Sequence, residues 1–126
     1  MPIPYSLVQR GNPRDPSAPK KFYAQVQFSG EVTLRELADE IAKISTVSVI
    51  DTKAVLDSLL EVIPKHITGG EMVRLGDFGS FGITLKSEGA ETEDAFTSSM
   101  IKRVRLLFKP GKLFKKEIEA ADFKKI

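Results

Sequence analysis

The chain has 126 residues, 41% of them apolar and 29% charged, with no cysteine and a net charge of +2. This length suits one domain with a modest core, the balance is that of a globular chain, and the absence of cysteine excludes disulfide and thiolate chemistry. No apolar run approaches the ~18 residues of a membrane span and the first ten residues lack a signal-peptide core, so no membrane partner and a cytoplasmic location are expected.

Charge is unevenly spread. Residues 1–30 carry a net +3, residues 31–70 a net −3, residues 71–100 a net −4 and residues 101–126 a net +6. A chain polarised in this way can present a positive face while staying nearly neutral overall.

Tyr5 to Arg10 is a short β-prone run, followed by a loop, residues 11–19, that contains Pro13, Pro16 and Pro19. Lys20 to Phe28 alternates, with Phe22, Ala24, Val26 and Phe28 on one face and Lys21, Tyr23, Gln25 and Gln27 on the other. The two runs predict a hairpin with a long, stiff connection, closed by Ser29-Gly30. Residues 1–30 thus read as a β extension ahead of a main domain over residues 31–126.

Thr33-Leu34-Arg35-Glu36 has the form of a capping box, and Leu34, Leu37, Ala38, Ile41, Ala42 and Ile44 follow at helical spacing. After a break at residues 45–48, Ser48 to Asp51 repeats the capping pattern and opens a longer helix. Its stripe comprises Thr52, Val55, Leu56, Leu59, Leu60, Ile63 and Ile67. Pro64 predicts a kink or shift near Leu60 and Glu61, and Gly69-Gly70 ends the helix. The stripe is wider than one small sheet needs, which suggests a dimer core.

Met72 to Leu75 reads as a short strand, Gly76-Asp77 as a turn and Phe78 to Leu85 as a second strand. Residues 86–100 form a polar, acidic connection carrying Glu88, Glu91, Glu93 and Asp94 around Phe96. The stretch from Lys102 to Lys116 then holds seven basic residues, Lys102, Arg103, Arg105, Lys109, Lys112, Lys115 and Lys116, and no acidic one. It begins as a strand in which Arg103, Arg105 and Leu107 point one way and Val104, Leu106 and Phe108 the other. Pro110-Gly111 breaks the strand, and Lys112 opens a short helix with Leu113, Phe114 and Ile118 on its apolar side. Lysines on both sides of a strand-to-helix turn suit a surface that grips phosphates.

No catalytic, metal or cofactor constellation emerges. His66 is the only histidine, no phosphate-binding glycine loop is present, and the serines have no base nearby in sequence. The chain is therefore read as a non-enzyme without cofactor, metal site or small-molecule substrate.

The order helix, helix, strand, strand, polar arm, basic strand and short helix, with Gly76-Asp77-Phe78-Gly79-Ser80-Phe81 before the arm and Phe108-Lys109-Pro110-Gly111-Lys112 after it, resembles the bacterial HU/IHF family of histone-like proteins. The likeness runs from about Val32 to Ala121, and the extended N-terminus resembles the HU-related branch of Bacteroides-type bacteria. The resemblance implies an α+β fold: a two-helix hairpin, then a three-stranded antiparallel sheet with a β-arm and a short C-terminal helix, here with an added N-terminal β-hairpin. It also implies a nucleoid-associated homodimer that binds double-stranded DNA with little sequence selectivity and bends or condenses it. Phosphate contact is carried over to Lys109, Lys112 and Lys115; Lys116 and Lys102 belong to the same basic stretch, Arg103 and Arg105 lie on the returning strand and Lys86 on the outgoing one. One departure stands out. The arm has four acids and no proline, where family members carry a basic arm tipped by an Arg-Asn-Pro wedge. An acidic tip is repelled by phosphates, so a protein-interaction or structural module on the same scaffold is the alternative reading.

Overall fold

The computed structural model describes all residues, Met1–Ile126, and divides them into two compact units. The first comprises Met1–Thr33 together with Glu117–Ile126, the second Leu34–Lys116.

In the first unit, β1 (Ile3–Arg10) pairs antiparallel with β2 (Lys21–Val26), as the alternation predicts. A third strand, outside the hairpin expectation, completes the sheet. This is β6 (Phe123–Lys125), which runs parallel to β1 on its other side, with Ile3 opposite Phe123 and Tyr5 opposite Lys125. Backbone bonds from Ile3 N to Asp122 O at 2.7 Å and from Ile126 N to Tyr5 O at 3.0 Å hold that edge.

The second unit begins with α1 (Leu34–Ile44), which starts one residue after Thr33. Helix α2 (Val49–Thr68) is capped by Ser48, whose Oγ accepts from Asp51 N at 3.1 Å and satisfies a first-turn amide. At the other end Gly69 N donates to His66 O. Pro64 lies inside α2 and removes the donor to Leu60 O, yet the helix is unbroken from Val49 to Thr68.

A three-stranded antiparallel sheet follows, in the order β3 (Val73–Arg74), β4 (Gly79–Ser87), β5 (Ile101–Pro110). Phe78, expected to open β4, belongs instead to a 3₁₀ turn over Gly76–Phe78. The reason lies in the backbone, because Gly76 and Gly79 both take positive φ, 55° and 143°, and the chain cannot extend between them. Helix α3 (Lys112–Glu119) follows the sheet. The apolar side of α2 lies over Phe81 of β4 and Leu106 of β5, and Ala38, Thr52, Ile67 and Gly79 are the buried residues of the chain.

Candidate nucleic-acid interface

The two glycine-containing motifs are packing partners. Gly111 N donates to Phe78 O at 3.0 Å, and a Cβ at Gly111 would collide with the Asp77 carbonyl. A Cβ at Gly79 would in turn collide with the Lys109 carbonyl. Around this backbone junction Phe78, Phe81, Phe108 and Phe114 stack, with ring centroids between 5.0 Å (Phe81–Phe108) and 6.2 Å (Phe108–Phe114). Tilted and edge-on aromatic pairs of this kind add to the stability that their buried area provides. The motifs thus fix where β5 ends and α3 begins, and with that the position of the lysines on either side.

Directly opposed residues of an antiparallel pair share a face, and register decides which. Lys86 is opposite Arg103, Thr84 opposite Arg105, Gly82 opposite Leu107, and Ser80 opposite Lys109. Ser80 is also opposite Arg74 of β3. One face of the sheet therefore carries five cations, Arg74, Lys86, Arg103, Arg105 and Lys109, with small or polar residues between them on β4. The other face carries Val73, Phe81, Ile83, Leu85, Val104, Leu106 and Phe108. Alternation along β5 predicts the split for its own residues. Arg74, absent from the sequence-based set, joins the row only through strand register.

Lys102 is placed differently from the other β5 cations. Lys86 pairs with Arg103 while Ser87 pairs with Ile101, so Lys102 is the extra residue of a β-bulge. Its Nζ lies 3.4 Å from Glu88 Oε1 and 3.4 Å from Ser99 O, turned to the base of the acidic connection. Lys112, Lys115 and Lys116 form a separate group on α3, spaced i, i+3 and i+4, so that they share one side of the helix. Lys115 N donates to Gly111 O at 2.9 Å, which makes Gly111 the start of the helical turn. The positive end of the α3 dipole adds to the field of these lysines.

The connection between β4 and β5 contains no regular strand. Its acids lie in residues 88–94, and a 3₁₀ turn over Ser98–Met100 leads into β5. The described residues contain no group of acids, histidines or cysteines able to hold a metal ion, and no helix is long and apolar enough to cross a membrane.

Comparison with known proteins agrees with these features. The profile of the HU-HIG family, described as an HU domain fused to wHTH, Ig, or Glycine-rich motif, matches residues 1–125. DNA-binding protein HU of Thermotoga maritima is 31% identical over 90 residues, covering 70% of this chain and 100% of its own length. Integration host factor subunit alpha of Idiomarina loihiensis is 30% identical over 93 residues, 72% of this chain and 95% of its own. Among solved structures, a candidate bacterial DNA binding protein from Bacteroides vulgatus superposes with a TM-score of 0.64 at 14% identity, covering 98% of this chain and 48% of that one. HU in the Anabaena HU–DNA cocrystal gives 0.55 at 24% identity, covering 71% of this chain and 99% of that one. At these identities the two structures show a shared fold, while the profile and the sequence relatives show kinship. The chain belongs to the HU/IHF-like histone-like family, in its HU-HIG branch.

Proposed function

We propose that residues 31–126 act as an architectural DNA-binding module that grips the phosphate backbone with little sequence selectivity. The observation that carries this reading is the cationic sheet face, on which Arg74, Lys86, Arg103, Arg105 and Lys109 are aligned across three strands. Lys86 directly opposite Arg103 is a like-charge pair that costs stability unless an anion lies over it. A row of phosphates meets that need, and the displaced counterions supply the affinity. The lysines of α3 extend the same chemistry beyond the Pro110-Gly111 turn.

The working unit is a homodimer. Ile44 is 86% exposed, Ile50 81%, Leu60 79% and Leu106 65%, too much apolar surface for a stable lone chain. Leu56, Leu59, Leu60, Ile63 and Leu106 line an open apolar groove of about 390 Å³ that a second copy would fill. Such a dimer presents two cationic faces, and two contacts on one duplex can bend it. The ion pair of Lys102 with Glu88 and the acids of the connection favour a second reading, in which this segment meets a basic protein partner rather than DNA.

Fluorescence anisotropy of the whole protein with a short duplex at several salt concentrations tests the first reading. Affinity should fall steeply with salt, and the combined substitution Lys109→Glu with Lys112→Glu should lower affinity and flatten that dependence. Binding too weak to titrate at low salt would eliminate it in favour of the second.

A further inference from the structure

We propose that the loop end of the β1–β2 hairpin is a second phosphate-binding site, separate from the sheet face of the other unit. Strand register places Arg10 directly opposite Lys21, at the last pair before the loop. Opposed side chains in such a pair stand about 5 Å apart at Cβ, and like charges there repel. Lys20 adds a third cation, its stem lying over Gly11 with Cγ 3.8 Å from where a Cβ would stand, and Arg14 a fourth within the loop. None of the four forms an ion pair.

Against these four cations the loop sets a single acid, Asp15, which is held in the loop's own turn. Asp15 Oδ1 accepts from Ser17 N at 3.2 Å and from Ser17 Oγ at 2.7 Å, inside the loop's own turn. Arg14 N donates to Asn12 Oδ1 at 2.9 Å, Asp15 N to Asn12 O at 3.2 Å and Ala18 N to Asp15 O at 3.1 Å. The loop is thus closed by local hydrogen bonds and stiffened by three prolines, and none of its cationic side chains is used to close it. Between loop and strands lies a cavity of about 360 Å³ lined by Arg10, Lys21, Tyr23, Pro13 and Pro19 among others. Tyr23 shares the sheet face of Arg10 and Lys21 and contributes a neutral hydroxyl donor. A preformed concavity lined by a like-charge cation pair and by no carboxylate matches a phosphate group, which accepts several charge-assisted hydrogen bonds at once.

The phosphate could belong to a nucleic-acid backbone or to a free phosphate compound, and one set of measurements on the full chain separates the two. Arg10→Glu places an opposite charge against Lys21, so this variant should fold at least as well as the parent and melt at a higher temperature in phosphate-free buffer. In the parent, inorganic phosphate at constant ionic strength should shift the Gly11, Asn12 and Lys21 amide resonances saturably; in Arg10→Glu it should not. If the ligand is nucleic acid, the slope of log affinity for a duplex against log salt should fall by about 1.8 in Arg10→Glu, the value for two lost phosphate contacts. Lys124→Glu, the same charge change on β6, should leave that slope unaltered. A saturable phosphate response with an unchanged duplex slope would assign the site to a free phosphate compound. No saturable response to phosphate, together with no change in slope, would overturn the proposal. Because the phosphate titration needs no duplex, it decides the question even if the sheet face of the other unit does not bind DNA.

Discussion

Gly111 shows how a single missing side chain positions several charged ones. Its amide is bonded to Phe78 O, and its Cα hydrogen points at the Asp77 carbonyl, where any Cβ would collide with backbone. Backbone cannot rotate aside as a side-chain tip can, so Gly111→Ala must separate the 3₁₀ turn from the end of β5. The expected cost is about 1–3 kcal/mol, the range for forcing an extra methyl into packed surroundings, read as a lower Tm. The same substitution should weaken DNA binding beyond its effect on stability, because Lys109 and Lys112 flank the displaced residue. At Ser48 the expectation is simpler. Removing the hydroxyl that caps Asp51 N in Ser48→Ala should cost about 1 kcal/mol in Tm-derived stability and leave duplex affinity per folded molecule unchanged.

Among the elements, β3 is the shortest, two residues long, and yet it contributes a cation to the proposed interface. Arg74 and Lys109 stand on either side of Ser80 in one row. Arg74→Ala should therefore behave like Lys109→Ala, each lowering the salt slope of duplex binding by about 0.9. A change at Lys109 alone would remove β3 from the interface. Sequence patterning reached the helices, β4, β5 and the split of β5 into a cationic and an apolar face, because apolar periodicity marks all of these locally. It did not reach Arg74, whose place depends on pairing partners rather than on its neighbours. It read Phe78 as part of the strand, since Phe78 and Phe81 look like core bulk while the positive φ of Gly76 and Gly79 is invisible in the letters. It also missed β6. Phe123-Lys124-Lys125 is too short and too polar to mark itself as a strand, and it pairs in parallel with β1 from the opposite end of the chain. Charge alone groups Lys102 with its basic neighbours, whereas a bulge and Glu88 set its side chain apart.

For the molecule as a whole, the amount of buried surface is the decisive quantity. A chain of 126 residues whose buried side chains are those of Ala38, Thr52 and Ile67 alone has too small a core for independent stability. The apolar residues needed for one are present but uncovered, on α2 and on the apolar face of β4 and β5. In the proposed homodimer a second copy covers them: both chains would bury the same stripe in one shared core, and folding and association would become a single equilibrium. Two consequences can be measured. The Tm of the wild-type chain should fall on dilution, since mass action removes the stabilising partner, and sedimentation equilibrium should give twice the chain mass at the concentrations where the helices are formed. Leu60→Asp should abolish both the dimer mass and most of the helical signal, because Leu60, 79% exposed in the single chain, lines the groove that the partner would fill. Burying one leucine of this kind contributes about 1.5–3 kcal/mol, and a charge in its place adds the cost of desolvation, incurred twice in a two-fold assembly. A Leu60→Asp chain that kept its helices and a concentration-independent Tm as a monomer would mean that the stripe is tolerated in water, and the proposed pairing of two cationic faces on one duplex would then have no structural basis.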